Sequence, residues 1–224
     1  MIVKDYQTWL AAQGGDLTID GACGGETKAA TLAVFANPYA PGITDEQFHQ
    51  LALEADCTDE QLQSVANVES SGSGYDSDHR PKMLFERHKF SGFTGHKYDT
   101  CSYSNPSAGG YNEDSWGKLT DALCKDIDAA FKSASWGKFQ VMGYWFPNIG
   151  FCSPLEAAWA CVRSELGHYR LFVGYIRLAG LLPALREVST DPNDCRPFAS
   201  GYNGPSYAEG GYHEKIAEQM RQLT

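Results

Sequence analysis

Basic residues are scarce in this 224-residue chain: 18 Lys and Arg stand against 28 Asp and Glu, a formal net charge of -10. A balance of that sign excludes the basic stripe that nucleic acid requires. It also gives no electrostatic pull toward an anionic envelope, so a polyanionic substrate must be held by local contacts. Long hydrophobic runs are missing as well. No segment reaches the ~18–20 apolar residues of a membrane span, which argues against membrane insertion. Met1-Ile2-Val3-Lys4-Asp5 lacks the apolar stretch of a secretory signal, so synthesis in a cytosol is expected, with a separate route out if the protein acts outside. The seven Cys include no C-x-x-C pair. Their odd number and irregular spacing favour free thiols over a disulfide framework. The six His are scattered singly with no H-E-x-x-H, so neither a metal nor another cofactor is expected.

What is present suits a folded protein of ordinary composition. With 42% hydrophobic and 21% charged residues, the chain fits one large domain, or a catalytic domain with a small appendage. Helical periodicity places Ile2, Val3, Tyr6, Trp9 and Leu10 on one face of a helix over residues 2–12, ended by Gly14-Gly15. An Asp20-Gly21 turn follows, then a second helix from about Thr27 to Ala36, broken by Asn37-Pro38. Thr44-Asp45-Glu46-Gln47 and Thr58-Asp59-Glu60-Gln61 are two capping boxes that open two further helices. Residues 70–115 are rich in Gly, Ser, Asp, Asn and Tyr around one apolar piece, Met83-Leu84-Phe85. They read as a long loop region with a small β element. From Lys118 onward the pattern reads as helical: Lys118 to Lys132, a helix opened by Ser153-Pro154-Leu155-Glu156 that extends toward Ile176, and Glu214–Leu223. The fold class expected is mainly α with a small β element.

Glu69 stands out on the helix that follows Thr58. The apolar stripe Leu62, Val65, Ala66 lands on Glu69 at its next step, immediately before a Ser/Gly run. A carboxyl group carried on the buried side of a helix end has its charged form disfavoured and its pKa raised. A carboxylic acid protonated near neutral pH is what glycoside cleavage uses as general acid. The same position also suits a Glu that bends out to solvent.

Three further segments form a series with it. Val68-Glu69-Ser70, Ser135-Trp136-Gly137-Lys138-Phe139-Gln140-Val141-Met142-Gly143 and Ala199-Ser200-Gly201-Tyr202-Asn203-Gly204-Pro205 resemble, in order and rough spacing, the signatures of the goose-type lysozyme and lytic transglycosylase superfamily. With Arg80-Pro81-Lys82-Met83-Leu84-Phe85-Glu86-Arg87-His88 and Phe90 added, the series is similar to the phage endolysin N-acetylmuramidase family across residues 43–224. Residues 1–42, through Tyr6-Gln7, Leu10, Gly14, Ile19-Asp20-Gly21, Gly24, Thr27, Ala30 and Phe35, resemble a peptidoglycan-binding module whose final Gln is absent, since Ala36 follows Phe35. The resemblance implies a lysozyme-like catalytic domain over 43–224 behind a small helical N-terminal module over 1–42. It implies cleavage of the bond between N-acetylmuramic acid and N-acetylglucosamine in peptidoglycan glycan strands. It further implies a monomer made in a host bacterial cytoplasm, acting on the cell wall after release by a separate holin-type partner.

The resemblance assigns Glu69 the role of acid. It makes Gln140 a donor to a sugar or a water, Gly137 a point of close backbone approach to a ring, Tyr202 a hydrogen-bond partner of the acid, and Asn203 a contact to a sugar amide. Two positions depart from the transglycosylase pattern: Lys138 stands where an apolar residue belongs, and Gly143 where Pro belongs. A hydrolase is therefore favoured over a transglycosylase giving 1,6-anhydro ends. A Cys/His amidase or peptidase, or a non-catalytic wall-binding protein, are the readings from other classes. The second carboxylate stays open. Glu86 shares a strand face with Leu84 and is the first candidate, with an ion pair to Arg80 or Arg87 as its structural alternative. Asp76 and Asp78 are runners-up, and a mechanism with Glu69 alone is the remaining option. Tyr75, Tyr103, Tyr111, Trp136 and Tyr144 suit sugar stacking or packing. Glu165 reads as structural, and no local motif joins His88 to Cys101.

Overall fold

A computed structural model describes residues 1–70, 72–105, 107 and 114–224. The four N-terminal helices are α1 (Val3–Ala12), α2 (Gly25–Val34), α3 (Asp45–Glu54) and α4 (Asp59–Glu69). Both capping boxes form in full: the Thr44 and Thr58 hydroxyls accept from the backbones of Gln47 and Gln61, whose side chains reach back to the capping residues. Each closes two otherwise orphaned donors at a helix start. Strand β1 (Met83–Phe85) leads directly into α5 (Arg87–Phe93), a helix inside the stretch expected to be loop.

Three further expectations are corrected. The single helix over 118–132 is two, α6 (Ser115–Leu123) and α7 (Ile127–Lys132), because the Asp126 carboxylate accepts from the Ala129 N–H at 2.9 Å and caps a new start. The segment after it is not helical either. It is a hairpin of β2 (Ala134–Trp136) and β3 (Val141–Met142), and β1 pairs antiparallel with β2 in the register Met83 opposite Trp136 and Phe85 opposite Ala134. Downstream lie α8 (Pro154–Arg163), α9 (Glu165–Leu178), α10 (Leu182–Arg186), α11 (Pro192–Asn203) and α12 (Tyr212–Leu223). Helix α8 stops at Ser164 rather than running through to Ile176. With 57% of residues helical beside one three-stranded sheet, the mainly α lysozyme-like class expected from the sequence is what the chain adopts.

The core is continuous across residue 42. Phe35, at 0% exposure, packs against Trp116, Phe131, Trp136 and Trp159. Tyr6 meets Phe131 on one side and shares a hydrogen bond with Thr31 on the other. The residues that carry the resemblance of the first 42 positions build a turn. Gln7 donates to Asp20, to the Ala22 carbonyl and to Thr27, and accepts from the Gly21 N–H at 2.7 Å. Cys23, just before α2, is bonded to Cys124, just after α6. The expectation of seven free thiols is thus corrected to five. Chain spacing did not reveal the pair because the partners lie 101 positions apart and meet only once α2 has packed on α6.

Candidate active site

Glu69 is the last residue of α4, and its half-buried carboxyl opens on a cavity of about 450 Å³. Leu62, Val65 and Ala66 pin the helix into the core, so its end cannot swing outward without exposing them. Asn203 is likewise the last residue of its helix, α11, and its side-chain N–H donates to Glu69 Oε1 at 2.7 Å. Burial pushes the Glu69 carboxyl up to about 7, with the Asn203 bond pulling the other way. Two helix C-termini meeting here present the negative ends of two peptide dipoles, which also disfavours a carboxylate.

The opposite wall comes from the β2–β3 turn and the segment before β1. Gly137, Lys138 and Gln140 line the cavity from the turn, Asp76, Lys82 and Met83 from the preceding segment, and Ser115 and Trp116 from the start of α6. Gln140 holds the turn together. Its amide donates to the carbonyls of Gly137 (2.7 Å) and Lys82 (3.3 Å), and its oxygen accepts from Ser135 at 2.8 Å. Both amide protons are thereby engaged by backbone, and the free capacity left is one acceptor lone pair. Gly137 has φ +72°, and the site where a Cβ would stand is 2.3 Å from His168 Nδ1. Its missing side chain thus makes room for His168, while its backbone lines the cavity.

His168 is 1% exposed and neutral. Its Nδ1 accepts from the Lys138 N–H at 2.8 Å and its Nε2 donates to the Cys161 carbonyl at 2.9 Å. Burial holds the imidazole down to about 4. Glu165 accepts from Lys138 Nζ at 2.8 Å and from the Ile43 N–H, so it fastens the cavity wall from behind.

A second cavity of about 280 Å³ shares Gln140 with the first and is lined by Tyr144, Trp145, Tyr175 and Tyr202 among others. Burial, and then the charge of Glu69, holds the Tyr202 phenol well above its ordinary range. Tyr202 is near the acid, but the residue that hydrogen-bonds it is Asn203. The structure therefore brings together Glu69, Gly137, Gln140, Tyr202 and Asn203.

Glu86 stands apart from the lining. It precedes α5 with its side chain 18% exposed, 3.4 Å from His88 Nδ1, and its charge reaches Tyr144. Arg80 pairs with Asp76 and Asp78. Of the aromatic candidates, Tyr144 lines the second cavity, Trp136 and Tyr103 are buried in the core, Tyr75 donates to the Cys161 carbonyl, and Tyr111 lies outside the described residues. Lys82, Trp116, Trp145 and Tyr175 were not singled out by sequence reasoning. Only the run Arg80-Pro81-Lys82-Met83 carried a signal for one of them. Among the described residues no cluster of three or more His, Cys, Asp or Glu could hold a metal, and no helix is long and apolar enough to cross a membrane.

The family model for N-acetylmuramidase matches residues 58–224. No curated protein matches the chain. Among solved structures, the crystal structure of Burkholderia AP3 phage endolysin superposes with a TM-score of 0.70 at 26% sequence identity, over 98% of this chain and 94% of that one.

Proposed function

The chain belongs to the N-acetylmuramidase family, and we propose that Glu69 is the general acid with which it cleaves the glycosidic bond between N-acetylmuramic acid and N-acetylglucosamine in peptidoglycan. One observation carries this reading: a half-buried carboxyl at a helix end, facing a cavity, whose proton is retained to about pH 7. The Asn203 amide donates to Oε1, so that oxygen is the carbonyl-like one and Oε2 carries the proton. Delivered to the glycosidic oxygen, that proton allows the bond to break as positive charge develops on the sugar. Water then completes the hydrolysis.

Glu86 is the proposed second carboxylate. Asp76 and Asp78 share the one Arg80 guanidinium and are the alternatives, whereas Glu86 follows the strand that pairs with the hairpin holding Gln140. The likeness to a phage endolysin supports action on the cell wall, and with it we propose a monomer made in a host cytoplasm and released with the help of a holin-type partner.

Digestion of purified peptidoglycan with product identification by mass tests the reaction. New reducing muramic acid ends are expected. Predominance of 1,6-anhydro ends would instead assign a transglycosylase, and new amino ends an amidase or peptidase.

A further inference from the structure

Of the charged side chains on the wall opposite Glu69, Asp76 and Lys138 each have an ion-pair partner, and Lys82 has none among the described residues. Asp76 shares the one Arg80 guanidinium with Asp78 and accepts the backbone N–H groups of Asp78 and Arg80. Lys138 is matched by Glu165 and lies over the Tyr169 ring. Glu69 keeps its proton near neutral pH and so offers no full negative charge. Lys82 lines the same cavity, and its ammonium group has no ion pair, hydrogen bond or ring contact among the described residues. Lys82 is exposed at the cavity edge, so in a chain of net charge -10 its ammonium is open to an anionic group of a bound strand.

Its attachment is rigid. The Lys82 N–H donates to the Gly74 carbonyl at 2.8 Å, and its own carbonyl accepts from the Gly137 N–H at 2.7 Å and from Gln140 at 3.3 Å. The side chain thus springs from a backbone clamped to the turn that borders the acid. The second cavity, across Gln140, presents aromatic and apolar side chains and no charged one. The cleft is therefore polar in the literal sense, with a free cation at one end and uncharged rings at the other.

We propose that Lys82 is a specificity-determining residue that takes a carboxylate carried on the lactyl branch of the muramic acid residue. This rests on the muramidase reading and names what the cleft recognises beyond the sugar rings. Muramic acid differs from glucosamine by a lactyl ether whose carboxyl is either free or extended by a peptide bearing carboxylates of its own. It is the anionic feature of an otherwise neutral strand. The aromatic end suits the uncharged N-acetylglucosamine side, so one lysine orients the strand as well as selecting it.

Steady-state kinetics test the assignment, with reducing ends as readout. The wild type, Lys82→Met and Lys82→Arg are compared on native peptidoglycan and on the same material with its carboxyl groups methyl-esterified. On native wall Lys82→Met raises KM by about tenfold with a much smaller change in kcat, and Lys82→Arg recovers most of the loss. Esterification raises the wild-type KM by a similar factor and leaves that of Lys82→Met nearly unchanged. The pH profile keeps its position, because burial and Asn203 set the protonation of Glu69. Strands stripped of peptide by an amidase separate the two sources: a loss retained there assigns the lactyl carboxylate, and a loss confined to peptide-bearing strands assigns the peptide. An unchanged KM for Lys82→Met on native wall overturns the proposal, as does an equal loss on esterified wall. If the wild type releases no reducing ends from any substrate, the muramidase reading fails and takes this proposal with it. A failure of Lys82 alone leaves those ends in place.

Discussion

Glu69 and Asn203 form one unit at the residue scale. Activity that needs a protonated Glu69 is present below its pKa and declines as pH rises through about 7. The Asn203 bond opposes the upward shift, so Asn203→Ala should move this basic limb to higher pH while lowering the maximal rate by about tenfold through lost orientation. Profiles of kcat/KM against pH measure both effects. The same shift has a stability consequence. An unfolded Glu titrates near about 4.3, so between there and about pH 7 the folded state holds a proton that the unfolded chain has released. Its contribution is fully present below about pH 4.3 and is lost as pH rises through the folded value. Glu69→Gln should therefore be more stable than the wild type at pH 8, by about 3–4 kcal/mol, and about equally stable at pH 4. The sequence made Glu69 legible because the stripe Leu62, Val65, Ala66 is local. It assigned the acid's hydrogen bond to Tyr202, since which of two adjacent residues points at α4 depends on the final turn of α11.

The β2–β3 hairpin is the element that shapes the cleft, and it was hard to read. Strands of three and two residues are too short to show an alternation, and the turn between them needs positive φ at Gly137 and Gln140. Gly137 signals such a turn, but a Gln with φ +52° gives no local hint that its amide is locking the backbone. Gly137→Ala places a Cβ 2.3 Å from His168 Nδ1 and 3.1 Å from Cys161 Sγ. The clash and the left-handed backbone together should cost about 2–4 kcal/mol, visible as a lower Tm with impaired wall hydrolysis. Helices α6 and α7 teach a related lesson. Leu119, Ala122, Leu123 and Ile127 keep helical spacing across Asp126, and periodicity alone joins what a capping side chain divides.

At the scale of the whole molecule, residues 1–42 share their core with the muramidase fold. Their motif residues were legible as a turn, whereas the burial of Phe35 among Trp116, Phe131, Trp136 and Trp159 depends on contacts far apart in sequence. The Cys23–Cys124 bond closes a loop spanning 101 positions, for which removal costs about 4–5 kcal/mol in the chain-entropy account. Cys23→Ser should lower Tm accordingly, and a reductant should bring the wild type down to the variant without moving the variant further. One acid, Glu69, delivering one proton to the wall polymer is the central proposal. The most direct test is a peptidoglycan digest by Glu69→Gln, folded as judged by its melting transition, with soluble products identified by mass. Release of reducing muramic acid ends should fall by at least about a thousandfold relative to the wild type. Lysis at the wild-type rate, with the same ends released, would contradict the account.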